Sequence, residues 1–171
     1  MKEAYKNMRH FWLDATNLDN RKGVLEIGPE KIVAAGLEMP FEDGKTVKYV
    51  FLGTNSLGDS SFYFENNSPS GLGGVIGGHG NEKLQTAAAH MLAYASKLAA
   101  QMEFLPAGQE LPACPVGNVC LVAVSKDKLF YKQLPESDVR NAENPFYPMY
   151  AYAQQTIGFF REQQAQNPAH A

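Results

Sequence analysis

Tyr5, Met8, Trp12 and Ala15 recur at helical spacing while Lys6, Arg9 and Asp14 fall outside that stripe, which predicts an amphipathic helix over residues 2–16. Residues 17–23 break it. Residues 24–27 read as a short strand, and Gly28-Pro29 reads as the opening of a second helix ending at Gly36, because proline at a first helical position loses no needed hydrogen bond. Turn chemistry at residues 42–45 leads into two β-rich runs, 47–52 and 60–65, which the pattern pairs as a hairpin. Residues 66–80 hold six glycines and read as one irregular connection.

Asn81 reads as an N-cap, after which Leu84, Ala88, Met91, Ala95, Leu98 and Met102 step by four and three along a long helix. Its many alanines leave little bulk, so a neighbouring element can approach closely. Residues 119–124 form a continuous apolar run of the kind buried on both faces, and residues 125–128 turn it into Leu129-Phe130-Tyr131, a second hairpin. Ser137 is placed to cap a short turn, and a final helix is expected from about Pro148 to Gln164. Hairpins outnumber possible crossovers, so the expected fold is α+β: one domain over 1–171, a mainly antiparallel sheet with long helices packed on one face, and a frayed tail at 166–171.

A length of 171 residues suits one domain, and 44% apolar with 19% charged residues is the balance of a globular chain. The formal charge of −3 is unlike that of a duplex-binding domain, so nucleic acid is not an expected partner. Residues 1–15 lack the apolar core of a secretory signal, and no window is apolar enough for a membrane span; a cytoplasmic location with no membrane partner is expected. Cys114 and Cys120 match no metal or redox spacing and read as reduced structural residues. His79 and His90 are too far apart for a ligand pair on one helix, so no metal is expected. Neither a nucleophile elbow nor a local cysteine motif picks out a catalytic residue, and no cofactor follows from the motifs.

Two segments carry the candidate chemistry. Gly77, Gly78, His79, Gly80 and Asn81 precede the long helix, where free backbone N–H groups form an anion cradle. The Walker and dinucleotide patterns both fail here. Gly78-His79-Gly80 before a long helix resembles the end of the pyrophosphate loop in acetyl-CoA-dependent N-acetyltransferases, which implies a small-molecule enzyme; Val75 stands where that family has Arg or Gln.

The second segment is the last helix, where Phe146, Tyr150, Ala153, Ile157 and Phe160 form one stripe and Met149, Tyr152, Thr156 and Phe159 a second. One apolar face suffices to cover a sheet. Met149, Tyr152 and Phe159 are therefore the expected contacts with a partner protein, or with a second copy in a homodimer. The alternative is that Tyr152 and Phe159 pack beside Trp12. The order of helices and strands is similar to that of acidic bacterial secretion chaperones. The reading from sequence is a small acidic protein-binding module, such as a secretion chaperone or an immunity-type inhibitor, with the acyl-CoA-dependent transferase as alternative.

Overall fold

The computed structural model describes residues 1–19, 25–78 and 80–166. The elements are α1 (Glu3–Leu13), α2 (Ala15–Asp19), β1 (Ala34–Asp43), β2 (Thr46–Asn55), β3 (Ser60–Glu65), β4 (Leu72–Gly77), α3 (Glu82–Leu98), β5 (Glu103–Pro106), β6 (Asn118–Val124), β7 (Lys128–Pro135), α4 (Glu136–Val139) and α5 (Tyr147–Gln166). The strands make one seven-stranded sheet in the order β4-β3-β2-β1-β6-β7-β5, and every neighbouring pair is antiparallel. This is the α+β architecture expected from the hairpin pattern, with both hairpins in place.

Alternation along the strands sorts the core into two layers. Ala35, Leu37, Leu52, Phe62, Leu121, Ala123 and Phe130 pack with Leu84, Met91 and Leu98 of α3 and with Ile157 and Phe160 of α5. The two long helices thus share one face, and α5 lies along the alanine-rich flank of α3. Ala34, Phe51, Tyr63, Cys120, Val122 and Val124 point the other way and meet Tyr5 and Trp12 of α1. The sheet is covered on both sides, by the long helices on one and by α1 on the other.

Three expectations are corrected. The first helix ends at Leu13, because the Asp14 carboxylate accepts the N–H and hydroxyl of Thr16 at 2.9 and 2.7 Å and starts the short α2 separately. Of the expected strand at 24–27, Val24 lies outside the described residues, Leu25 and Glu26 are not in a strand, and Ile27 makes a single bridge to Ile32. The helix expected over residues 28–36 is absent: Pro29 sits in a turn closed by Lys31 N–H on the Gly28 carbonyl at 3.1 Å, and Ala34 to Leu37 belong to the central strand β1. Strand β1 is flanked by β2 and β6, so small residues serve it well. A Cβ on Gly36 would lie 2.7 Å from the Leu52 carbonyl oxygen.

The glycine-rich connection is also not wholly irregular. Residues 72–77 pair along the whole of β3, from Leu72 opposite Glu65 to Gly77 opposite Ser60, and form the sheet edge. The opposite edge, β5, occupies residues just past α3 that had no strand assigned. The tail at 167–171 lies outside the described residues.

Candidate functional site

Strand β4 reaches the top of α3 through Gly78 and Gly80, whose φ angles of 98° and 79° lie in the left-handed region that favours glycine. Asn81 caps the helix: its Oδ1 accepts from the N–H of Lys83 at 3.1 Å and of Leu84 at 3.3 Å. Its own carbonyl takes the N–H of Gln85. Two of the donors that would form an anion cradle are therefore committed to Asn81, and its own N–H bonds to the Gly78 carbonyl at 3.2 Å. Gly78 is wedged against the 58–60 turn, where a Cβ would stand 2.4 Å from the Gly58 carbonyl oxygen. Of the segment Gly77 to Asn81, His79 lies outside the described residues.

What the glycine segment does form is one wall of a cavity of about 640 Å³ on the α1 side of the sheet. Helix α1 supplies Met8, Phe11 and Trp12, and β3 supplies Ser61 and Tyr63 from the same strand face. Ile76, Gly77, Gly78 and Asn81 close the side next to the sheet edge, and Asp59 lies at the start of β3. No lysine or arginine is among the described residues that line it. Ser61 is only 4% exposed. Asp59 accepts from the Asn55 amide at 3.3 Å. Ile76, at 77% exposed, stands at the rim.

The cavity depends on how α1 is seated. Gly36 and Gly53 are register partners, and a Cβ on Gly53 would come within 2.4 Å of the Trp12 ring, so the bare backbone there is the seat of the indole. Deeper under α1, Arg9 Nε lies 2.7 Å from Glu38 Oε2 with both side chains buried. Tyr5 donates to the same oxygen at 3.2 Å, and Arg9 also donates to the carbonyls of Leu111 and Pro112 at 3.0 and 3.1 Å. Burial pushes the Glu38 carboxyl up, against the opposing pull of the Arg9 charge. Burial, with the Glu38 charge adding to it, pushes the Cys114 thiol up to about 12, and Cys120 rises for the same reasons. Both cysteines are free and buried, and such thiols hold no thiolate at neutral pH. The cluster clamps α1 and the 111–114 loop to the sheet.

The second expected site falls on the other face. Met149 is fully buried among the core residues, which removes it from any surface. Tyr152 and Phe159 are half-buried and do not meet Trp12, which belongs to the opposite layer. Tyr152 stacks on His90 with ring centroids 4.7 Å apart, and Lys83 Nζ sits 5.7 Å from the Phe159 ring. With Thr86 and Gln155 they line a shallow groove of about 410 Å³ between α3 and α5. The second stripe of α5 is thus largely consumed by α3 of the same chain.

Among the described residues, no three His, Cys, Asp or Glu side chains gather as a metal site, and no helix is long and apolar enough to cross a membrane. Sequence alone does not point to the cavity-forming residues of α1, since only tertiary packing brings them to Gly77 and Gly78. No protein-family model matches the chain, and no curated protein or solved structure matches it.

Proposed function

We propose that this chain is a protein-binding module that takes an extended segment of its partner as an added strand along β4. The observation that carries this reading is the contrast in how the two sheet edges are protected. Strand β5 is four residues long, begins at Glu103 and ends at Pro106, and Lys128 stands 5.1 Å over its exposed Phe104. Charge, proline and shortness are the usual defences of an edge. Strand β4 has six residues, Leu72-Gly73-Gly74-Val75-Ile76-Gly77, with no charge and no proline. Its outer row of backbone N–H and C=O groups supports strand addition, in which main-chain bonds give affinity and a neighbouring pocket gives specificity. The cavity beside Ile76 and Gly77 is that pocket. Among the expected protein-binding classes, a secretion chaperone that holds a client segment extended suits such an edge.

Hydrogen exchange tests the reading. In the free protein the outward amides of residues 72–77 should exchange fast, and a short strand-forming peptide should slow them. Ile76→Lys places a gatekeeper charge on a side chain already in solvent, and should weaken peptide binding by at least about tenfold without lowering stability by more than about 0.5 kcal/mol. If β4 is already protected in the free protein and sedimentation shows a concentration-dependent dimer, a second copy is the occupant and the reading fails.

The acyl-CoA-dependent reading is favoured by one observation: β4 does lead straight into Gly78, Asn81 and α3. Against it stands the use of Asn81 to satisfy Lys83 and Leu84. Calorimetric titration with acetyl-CoA should show no binding; measurable heat and stabilisation would revive this alternative.

A further inference from the structure

We infer that the groove between α3 and α5 takes an acidic amphipathic helix of a partner protein, with carboxylates spaced by seven residues. This surface lies outside the β4 edge and does not rest on the strand-capture reading. Lys83 stands against Phe159 and His90 against Tyr152, so a step of seven on α3 meets a step of seven on α5 in the opposite direction. The two helices run antiparallel, in the repeat that a third helix can follow. Lys97, the next step along α3, lies 5.3 Å from the Tyr94 ring. Lys83 and Lys97 are exposed; each leans on a ring, and neither pairs with a carboxylate among the described residues. Glu82, in the first turn of α3, is the one acid among the described residues that line the groove.

Each step of seven is about 10.5 Å of helix rise, and the same spacing recurs on a helix laid along the groove. Glutamates at that spacing would reach Lys83, His90 and Lys97 together, adding to the ring contacts of the lysines, while leucines between them cover Ala87 and the edges of Tyr152 and Phe159. Charge complementarity selects this occupant. A second copy set on the groove by two-fold symmetry would bring lysines against lysines. A single-stranded nucleic acid needs open ring faces, and Tyr152 already stacks with both His90 and Tyr94, at 4.7 and 5.9 Å.

The probe is a fluorescent peptide of three Glu-Gln-Ala-Leu-Gln-Ala-Ala repeats, acetylated and amidated, followed by anisotropy with the full chain. It is compared with a version bearing glutamine for every glutamate. The acidic peptide should bind at least about tenfold more tightly than the glutamine peptide. Lys83→Gln with Lys97→Gln should remove that difference and leave the denaturation midpoint little changed. Lys83→Glu with Lys97→Glu should instead favour a peptide bearing lysine for glutamate. Ile76→Lys, at the β4 edge, should leave the acidic peptide unaffected. Equal binding of the acidic and glutamine peptides, or an acidic advantage that survives the lysine changes, overturns the inference, as does no binding at millimolar concentration. An oligothymidylate that binds as tightly with the same lysine dependence assigns the face to a nucleic acid instead. A dimer in sedimentation that Tyr152→Ala dissolves assigns it to a second copy.

Discussion

Across one sheet, the layer under α3 and α5 and the layer under α1 are built by different means. The first is filled by Leu37, Leu52, Leu84, Met91, Leu121, Ile157 and Phe160, with apolar side chains meeting apolar side chains. The second contains the buried Arg9–Glu38 pair and a cavity lined in part by α1. Apolar packing supplies stability without direction, whereas a buried pair costs desolvation and returns a defined placement of the groups that meet there. The difference separates labour: one face holds the sheet together, and the other holds a single helix at a set position over a pocket.

Truncation should break this contrast most visibly. Phe160→Ala empties a fully buried site on the long-helix face and should cost roughly 3–5 kcal/mol in chemical denaturation. Arg9→Met on the other face should cost a similar roughly 3–5 kcal/mol, since it strands the Glu38 carboxylate. The two differ in rescue. Adding Glu38→Leu to Arg9→Met should recover most of the loss, because replacing both partners of a buried pair is often near neutral. No second substitution of that kind exists for the Phe160 void. If the double variant is as unstable as Arg9→Met alone, the pair is not the feature that sets the second layer apart.

Gly53→Ala should cost roughly 1–3 kcal/mol by pushing a methyl group into the Trp12 ring. Trp12 is the sole tryptophan, so a red shift of its emission reports whether α1 has lifted. Asn81→Ala should cost about 1 kcal/mol through the lost cap, with no change in Trp12 emission.

The smallest signal is in pH. Burial raises the folded-state pKa of Glu38 above its value in the unfolded chain, so between those two values the folded protein binds more protons. Stability from this group is therefore greatest below about pH 4.3, falls as pH rises through the raised pKa, and is level above it. Glu38→Gln should flatten that slope, so the stability difference between wild type and variant should shift toward the variant as pH rises. A difference constant from pH 4 to 8 would mean that Arg9 balances burial completely.

Much of the fold was readable because several elements carry their own punctuation. Asn81 followed by a run of steps by four and three marks α3, and Val119 to Val124 marks a strand buried on both faces. Strand β1 is not legible because Ala34-Ala35-Gly36 has no alternation to read, and alanine favours a helix unless tertiary neighbours decide otherwise. Strand β4 is not legible because its glycines look like a loop; their small size is what lets Phe64 and Tyr63 lie close against Gly73 and Gly74. The glycine segment reads as an anion cradle in sequence, yet Asn81 takes the N–H groups of Lys83 and Leu84, and Gly77, Gly78 and Asn81 wall a cavity. Its other wall comes from Met8, Phe11 and Trp12, some seventy residues earlier, a juxtaposition set by the seat at Gly53.

The Arg9 contacts impose an order in time. Its guanidinium binds the carbonyls of Leu111 and Pro112, 102 and 103 residues downstream. During synthesis at about 5–20 residues per second, α1 emerges and then waits on the order of 5–20 s before that part of its berth exists. Strand β1 waits with it, because its partner β6 begins only at Asn118. For that interval Tyr5 and Trp12 have no completed layer to enter. Helix α1, made before the strands it packs on, is among the last pieces to lock, and the nascent chain carries an apolar helical face in need of cover until β6 has been translated.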